Sequence, residues 1–479
     1  MVDKTSEYID DSFLTELESD AFRDSIATVD KSGKRQWIYP KKPQGSLYRG
    51  RTWLSIILIG LFFIGPFLKW NGQPLLLFNV LERKFIVFGL TFWPQDFHLF
   101  VLAMITFFVF IVLFTVIFGR VWCGWACPQT IFMEMFFRKI EYWIEGDYRQ
   151  QMKLDKAPWD LEKVMKKTAK FSIFALFSFL IGNTVMAYLV GMDELSVLIT
   201  SPPTENWGLF TFVMIFSGIF YFVFAWFREQ ACIAVCPYGR LQGVLLGKDS
   251  IVVAYDWLRG EPRGKRKRNE DQSAKGDCID CKLCIAVCPT GIDIRNGTQM
   301  ECVNCTACID ACDQVMEKVK KPKGLIRFDS YNGIANGTPF RFNTRIIAYS
   351  VVLLGLLSVL GFSLASRSDI ETTLLRVPGT LYQKTDEGKI SNMYNIDLVN
   401  KTQEELDLEI RLTSHEGEIQ IIGQKFVVPA QDISQGTVLI MIPRDQLEGR
   451  KNEIKIELWS GDKLIDKASS NFLGPVNLK

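Results

Sequence analysis

Five stretches of this chain stay apolar for close to the length that crosses a bilayer, about 20 residues at 1.5 Å rise per residue. They run from Thr52 to Leu68, Leu99 to Phe118, Phe171 to Val190, Gly208 to Phe227 and Ile346 to Ala365. The first is short and carries Pro66, but Arg51 and Lys69 bracket it as the polar ends of a span would. Pro74 to Phe92 is also apolar, interrupted by Glu82, Arg83 and Lys84, and reads as an interfacial or re-entrant piece. After Ala365 the period changes to two, in Tyr394 to Val399, Leu406 to Leu412, Phe426 to Val428, Thr437 to Ile442 and Glu453 to Trp459. Alternation broken by Gly, Asn, Pro and Ser predicts roughly seven strands and a single β-sandwich of immunoglobulin type.

Composition agrees with a membrane protein that carries soluble parts: 48% of the 479 residues are apolar and 23% charged. A formal net charge of +2 gives no basic field, which disfavours a nucleic-acid partner. No secretory signal peptide is visible in the polar first 50 residues. Lys and Arg crowd residues 1–51, 119–168 and 228–345, including the run Arg263, Lys265, Arg266, Lys267 and Arg268. The loop Gly191 to Asn206 has none, and 70–98 has only Arg83 and Lys84. The positive-inside rule then predicts a cytoplasmic N-terminus and an outer tail after Ala365. The basic run serves as a topology anchor.

All twelve Cys fall in the inner regions of this map, where thiols stay reduced and can hold metal, and none follows Cys312. Cys278, Cys281, Cys284 and Cys288 stand at C-x2-C-x2-C-x3-C-P, and Cys302, Cys305, Cys308 and Cys312 repeat the spacing. This is the bacterial ferredoxin run, in which the fourth Cys of each set ligates the other cluster. The rule assigns Cys278, Cys281, Cys284 and Cys312 to one [4Fe-4S] cluster, and Cys288, Cys302, Cys305 and Cys308 to the second. Paired zinc sites are the bland alternative, but three consecutive Cys at x2 spacing fit a tetrahedral ion poorly. Asp313 stands where Pro usually follows the fourth Cys, which bears on the local turn and the cluster potential.

The other four Cys form C-x3-C-P twice, at Cys123 to Pro128 within Val121–Pro128 and at Cys232 to Pro237. Each first Cys lies five residues past an apolar segment, so a unit of two spans and one motif recurs after 109 residues. If each motif stays helical, its two Cys share a face, and the pairs converge into a thiolate site at the membrane surface. Such a site suits Cu(I) or redox dithiol chemistry; the bland reading is small apolar residues near helix ends. His98 and His415 are the only histidines, which excludes a bis-histidine haem. Met104, Met133, Met135 and Met214 could supplement soft-metal binding, though Met in such helices is usually packing.

In order, the chain shows a membrane hairpin, Cys-Gly-Trp-Ala-Cys-Pro at 123–128, a second hairpin, Cys-Ile-Ala-Val-Cys-Pro-Tyr-Gly-Arg at 232–240, eight ferredoxin Cys, a fifth span and a β tail. Nearly the whole chain therefore resembles the cytochrome c oxidase accessory proteins called CcoG, FixG or RdxA. The resemblance implies a bacterial inner-membrane protein that helps mature the cbb3-type haem-copper oxidase, reducing Cu(II) to Cu(I). Implied with it are Cys123, Cys127, Cys232 and Cys236 as catalytic copper ligands, two [4Fe-4S] clusters, a cytoplasmic electron donor, and a copper chaperone or copper-transporting ATPase as partner. A homodimer stays open. Predicted boundaries are a cytoplasmic segment 1–51, a four-helix membrane domain 52–250, a cytoplasmic 2[4Fe-4S] ferredoxin-like domain 251–345, a fifth span 346–365 and a periplasmic Ig-like sandwich 366–479. Two rivals remain: a quinol-linked electron-transfer subunit feeding a respiratory reductase, and a non-redox scaffold for oxidase assembly.

Overall fold

A computed structural model describes residues 28, 34–70, 72–80, 83–265, 275–338, 340–379, 381–385, 388–402, 404–423 and 426–475. Arg266, Lys267 and Arg268 of the basic run, and Glu82, lie outside the described residues. The chain is a polytopic α-helical membrane protein with a ferredoxin-like module and an Ig-like β-sandwich. Its five candidate spans are Ser46–Phe67, Phe97–Phe118, Leu161–Val190, Trp207–Phe227 and Thr344–Ala365. The third begins ten residues before its apolar core, because the Asp160 carboxylate caps the helix by accepting from Lys163 N at 2.8 Å. Gly191 at φ 98° ends that helix in the left-handed region.

The described residues fold as two compact units. One holds the described residues up to Phe67 together with Leu102–Leu357; the other holds Leu68–Val101 and the described residues from Ser358 onward. In the first unit the spans pack through aromatic and small residues, since lipid removes any hydrophobic drive between helices. Phe137 stacks on Phe224 with centroids 4.9 Å apart, and Phe132 meets Phe220 and Phe224 edge-on. A Cβ at Gly182 would lie 2.2 Å from Ser217 Oγ, so the third and fourth spans approach closely there. The Asp310 carboxylate accepts from Leu47 N and Tyr48 N at 3.2 and 2.7 Å, tying the start of the first span to the helix Ala307–Lys318. Met133 and Met135 are buried in packing, whereas Met104 and Met214 are exposed on their spans.

In the second unit, strands Glu418–Ile422, Ile433–Pro443, Lys389–Asn400 and Ile370–Arg376 form one antiparallel sheet in that order. Phe426–Val428, Leu406–Leu412, Lys451–Ser460 and Lys463–Leu473 form the other. Alternate residues such as Ile396, Leu398, Val438, Ile440, Ile454 and Ile456 fill the space between them. Tyr394 is buried among them and donates to Asn471 O at 3.0 Å, linking the two sheets where no disulfide can.

The 74–92 segment, expected to be interfacial or re-entrant, folds as β-structure. Leu76–Asn79, Lys84–Val87 and Leu90–Phe92 make a three-stranded antiparallel sheet, turning at Phe88 and Gly89 with positive φ. Its polar residues have partners in the same unit: Thr91 Oγ1 donates to Gln431 Oε1 at 3.0 Å and Lys84 Nζ to Gln431 O at 3.1 Å. Next to it, buried Asp96 pairs with Lys401 at 2.8 Å and Arg367 at 2.6 Å. Burial alone would raise the Asp96 pKa, but the hydrogen bonds from Lys401 and Arg367 outweigh it and hold the carboxyl below its usual range. Its stabilising contribution is therefore full above the ordinary carboxylate pKa and is lost as pH falls through the lowered value. Asp96→Ala, which strands buried cations, is expected to destabilise this unit by roughly 3–5 kcal/mol, read by thermal unfolding and limited proteolysis.

Candidate functional site

The two ferredoxin runs build matching loops. Residues just before and just after the second Cys of each run, Asp280 and Lys282 in one and Asn304 and Thr306 in the other, all have φ between 51° and 65°. Left-handed residues at both positions curl each C-x2-C-x2-C segment so that its three thiols point inward. Strands Val252–Tyr255 and Ile326–Asp329 pair antiparallel beside these loops and close the module.

Two thiol-lined cavities result. One is bounded by Cys278, Cys281, Cys284 and Cys312 with Tyr255, Met316 and Leu325 among its walls. The other is bounded by Cys288, Cys302, Cys305 and Cys308 with Val253, Ile292 and Ile294, and Cys284 is also in its lining. Each cavity thus gathers three cysteines of one run and the fourth of the other. Burial pushes Cys312 up to about 12, and charge on Cys284, Cys278 and Cys281 adds to the shift. Burial likewise raises Cys302 to about 12 and Cys305 to about 11, with charge on Cys288 adding in both. Four thiols in an apolar cage fit a [4Fe-4S] cubane by donor type and number, and its assembly there must displace the thiol protons.

Asp313 also finds its explanation. Cys288 follows the short helix Leu283–Ala286, where Pro289 costs nothing, but Cys312 sits inside the helix Ala307–Lys318. Proline there would break the helix, whereas the Asp313 carboxylate accepts from Gly324 N at 2.8 Å and fixes the following turn. Asp313→Pro is expected to cost ~3 kcal/mol and to loosen the Cys312 cavity, checked by thermal melts and iron content.

The C-x3-C-P motifs depart from the expected continuous helix. Cys123 lies in the one-turn helix Val121–Trp125, while Cys127 is extended at ψ 124° and caps a helix that starts at Pro128. Cys232 lies in the π-helical turn Ala231–Val235, and Cys236, at ψ 111°, caps the helix starting at Pro237. Proline fits the first helical position and forces the residue before it out of the helical region. Both second cysteines donate their backbone N–H five residues back, Cys127 to Trp122 O and Cys236 to Ala231 O, each at 2.9 Å. The sequence repeat of 109 residues is thus a structural repeat, and π-turns of this kind concentrate at functional sites.

The two motifs lie side by side, with Gln242 of the helix that follows Cys236 against Cys123 of the first motif. Burial pushes Cys123 up to about 11, opposed by a hydrogen bond from Gln242 and reinforced by charge on Cys127 and Cys236. Burial pushes Cys232 up to about 12, reinforced by Cys127, Cys123 and Cys236. Gln242 is fully buried, with Nε2 3.4 Å from Cys123 Sγ. Among the described residues no three His, Cys, Asp or Glu side chains are close enough to hold a single metal ion. His98 begins the second span and exposed His415 lies beside Ser414 in the sandwich, both in the unit without cysteines.

Residues the sequence reading passed over hold this site against the second cluster cavity. A Cβ at Gly124 would lie 2.4 Å from Val303 O, between cluster ligands Cys302 and Cys305, so glycine permits backbone contact there. Arg51 Nε donates to Gly124 O at 2.6 Å, and Arg120 bonds both Met300 O and Gly239 O, bridging the cluster loop and the second motif. Glycine between two cysteines was a visible signal; Gln242 and Arg120 carried none. A buried chain of ion pairs was missed as well. Arg138 joins Glu134 and Glu229, Arg228 joins Glu141 at 2.8 Å, and Lys170 joins Glu145 at 2.9 Å.

Comparison with known proteins agrees with this architecture. Residues 227–331 match the family described as a 4Fe-4S dicluster domain, and residues 360–475 match the Ig-like fold at the C-terminus of FixG. Residues 100–147, whose only cysteines are Cys123 and Cys127, match a 4Fe-4S binding domain. The chain is 34% identical over 450 residues to Protein RdxB of Cereibacter sphaeroides, covering 90% of this chain and 94% of that protein. Protein RdxA of the same organism is 36% identical over 77% of this chain and 80% of its own length. Nitrogen fixation protein FixG of Rhizobium meliloti is 31% identical, over 79% of each. With its two cysteine cages, five spans and C-terminal sandwich, the chain belongs to the FixG/RdxA family of membrane iron-sulfur electron-transfer proteins.

Proposed function

We propose that this protein is a cupric reductase of the bacterial inner membrane, delivering electrons to Cu(II) at Cys123, Cys127, Cys232 and Cys236 in support of cbb3-type oxidase assembly. The observation that supports the reading is the seating of the two C-x3-C-P motifs against the Cys302–Cys305 loop through Gly124 and Arg120. Copper is the substrate, and each ion takes up one electron. Cys278, Cys281, Cys284 and Cys312 hold one cluster and Cys288, Cys302, Cys305 and Cys308 the other; when bound, the clusters supply one-electron reducing equivalents. Thiolate ligation favours Cu(I) over Cu(II), so the chain's own ligands drive the reduction. Trp125 Nε1 and Gln129 Nε2 are buried donors without a protein partner on either side of Cys127, and they suit an anionic thiolate-metal group. The cysteine-bearing side is cytoplasmic in this proposal and the sandwich periplasmic. A cytoplasmic donor, a copper chaperone or copper-transporting ATPase, and the oxidase itself are the proposed partners.

The test is anaerobic: dithionite-reduced protein is mixed with Cu(II) while cluster EPR and Cu(I) formation are followed together. Wild type should reoxidise as Cu(I) appears. Cys127→Ser with Cys236→Ser should keep its clusters and lose more than ~10-fold in rate. Equal rates in the two proteins would sink the proposal. A pH dependence follows from the raised thiols. Cys123 and Cys232 are protonated at neutral pH, so copper binding must release their protons. Affinity for Cu(I) is therefore expected to rise with pH from 6 to 9, about tenfold per pH unit for each proton released, as measured by chelator competition.

A further inference from the structure

At the ends of the third and fourth spans nearest Arg228, a cavity of ≈ 490 Å³ opens between those spans and the segment carrying Trp37 and Tyr39. Its walls are flat aromatic rings: Trp37, Phe171, Tyr221, Phe222 and Trp226. Phe222 and Trp226 remain 48% and 54% exposed on the fourth span, so the mouth faces where lipid would lie. Its floor is ionic, with Glu141, Glu145, Asp155, Lys167 and Lys170. Within it the buried Glu145 Oε1 lies 2.9 Å from both Lys167 Nζ and Lys170 Nζ.

Charge selects the occupant. The three carboxylates are matched by the two lysines and by Arg228, which clamps Glu141, while Arg35, over the Trp37 and Trp226 rings, pairs with Glu229 at 3.9 Å. A balanced floor attracts neither a phosphate nor a metal cation, but it offers both acceptors and donors to a neutral ring with two oxygen substituents. The ion pairs continue inward from Arg228 to Glu229 at 4.0 Å, then to Arg138 and to Glu134 at 3.0 Å. Glu229 stands three residues before Cys232, so the polar chain leads from the cavity toward the thiol site.

We propose that this cavity binds the headgroup of a membrane quinol, which enters from the bilayer and serves as electron donor in place of a cytoplasmic one. The ring stacks on Trp226 and Phe222. A hydroquinone O–H donates to Glu145, and after oxidation the quinone carbonyl accepts from Lys170. The step breaks two O–H bonds: the two protons pass to Glu145 and Asp155 and on to water, the two electrons pass singly to the protein's iron-sulfur carriers, and quinone leaves. This inference rests on the electron-transfer reading above and does not require copper as the final acceptor.

The test uses the full chain, with its clusters, in lipid nanodiscs without copper, and measures equilibrium binding of decylubiquinone and its hydroquinone. Saturable binding near one per chain is expected. Trp226→Ala should weaken both ligands, and Glu145→Gln should weaken the hydroquinone more than the quinone, each by about tenfold. Retained cluster absorbance in each variant shows that it has folded. Absence of saturable binding, unchanged binding in both variants, or displacement of the quinone by a soluble phosphorylated lipid headgroup would each overturn the proposal. Copper-driven cluster reoxidation is read separately, so failure here leaves the copper proposal standing and the reverse also holds.

Discussion

Cys312→Ser is expected to halve the iron of the purified chain, from about eight atoms to about four. The reason is the exchange of fourth ligands: Cys312 closes the cavity of Cys278, Cys281 and Cys284, although it follows Cys302, Cys305 and Cys308 in the chain. Two double variants make the assignment decisive. Cys281→Ser with Cys312→Ser removes two ligands of one cluster and should cost no more iron than either change alone. Cys305→Ser with Cys312→Ser strikes both clusters and should leave almost none. Ligand sets taken consecutively from the sequence would reverse these two results, as read by iron analysis and EPR of the reduced protein. The magnitude is large because a cubane held by three thiolates beside a hydroxyl is exposed to loss.

Gly124→Ala is expected to leave both clusters in place while slowing copper-driven reoxidation by up to ~100-fold, since about 1 Å of misplacement between reacting groups can cost that much. The added Cβ would sit 2.4 Å from Val303 O and 3.0 Å from Asn304 C. Both are backbone atoms that cannot rotate aside, so the C-x3-C-P site must move off the cluster loop. The same overpacking is expected to lower stability by about 1–3 kcal/mol, seen in a thermal melt. Gly218→Ala is the control, because nothing lies within 4 Å of a Cβ there, and it should change neither rate nor melting. Unchanged kinetics in Gly124→Ala would mean that the four thiols and the second cluster do not work together.

Much of this architecture was legible one residue at a time. The five spans, the two ferredoxin runs and the alternation after Ala365 all follow from local period and spacing, and the structure contains each of them, the third span beginning ten residues before its apolar core. The C-x3-C-P repeat was equally visible, but its conformation was not. Proline after the second cysteine decided against a continuous helix, and an i, i+4 argument overlooked that restriction on the preceding residue. Residues 74–92 misled through their mean apolarity, because the strand alternation there is short and is broken by the turn at Phe88 and Gly89.

The charged stripe Glu134, Arg138, Glu141 and Glu145 shows most clearly where sequence stops. Spacings of four, three and four put these residues on one helical face, and such a face is normally read as solvated. In the structure all four are buried, because Arg228, Glu229 and Lys170 arrive from other segments to pair with them. Periodicity reports how a segment divides its own surface, and cysteine spacing reports which atoms can wrap one cluster; both are properties of neighbours along the chain. Whether a charge meets solvent or a partner, and whether a glycine meets space or another backbone, depends on segments a hundred residues away. The sequence by itself therefore determined the spans, the two ferredoxin cysteine runs and the sandwich. Only the tertiary structure decided that two distant C-x3-C-P motifs lie side by side, that Gly124 seats the first of them on the Cys302–Cys305 loop, and that a buried ionic chain runs from there to an aromatic cavity.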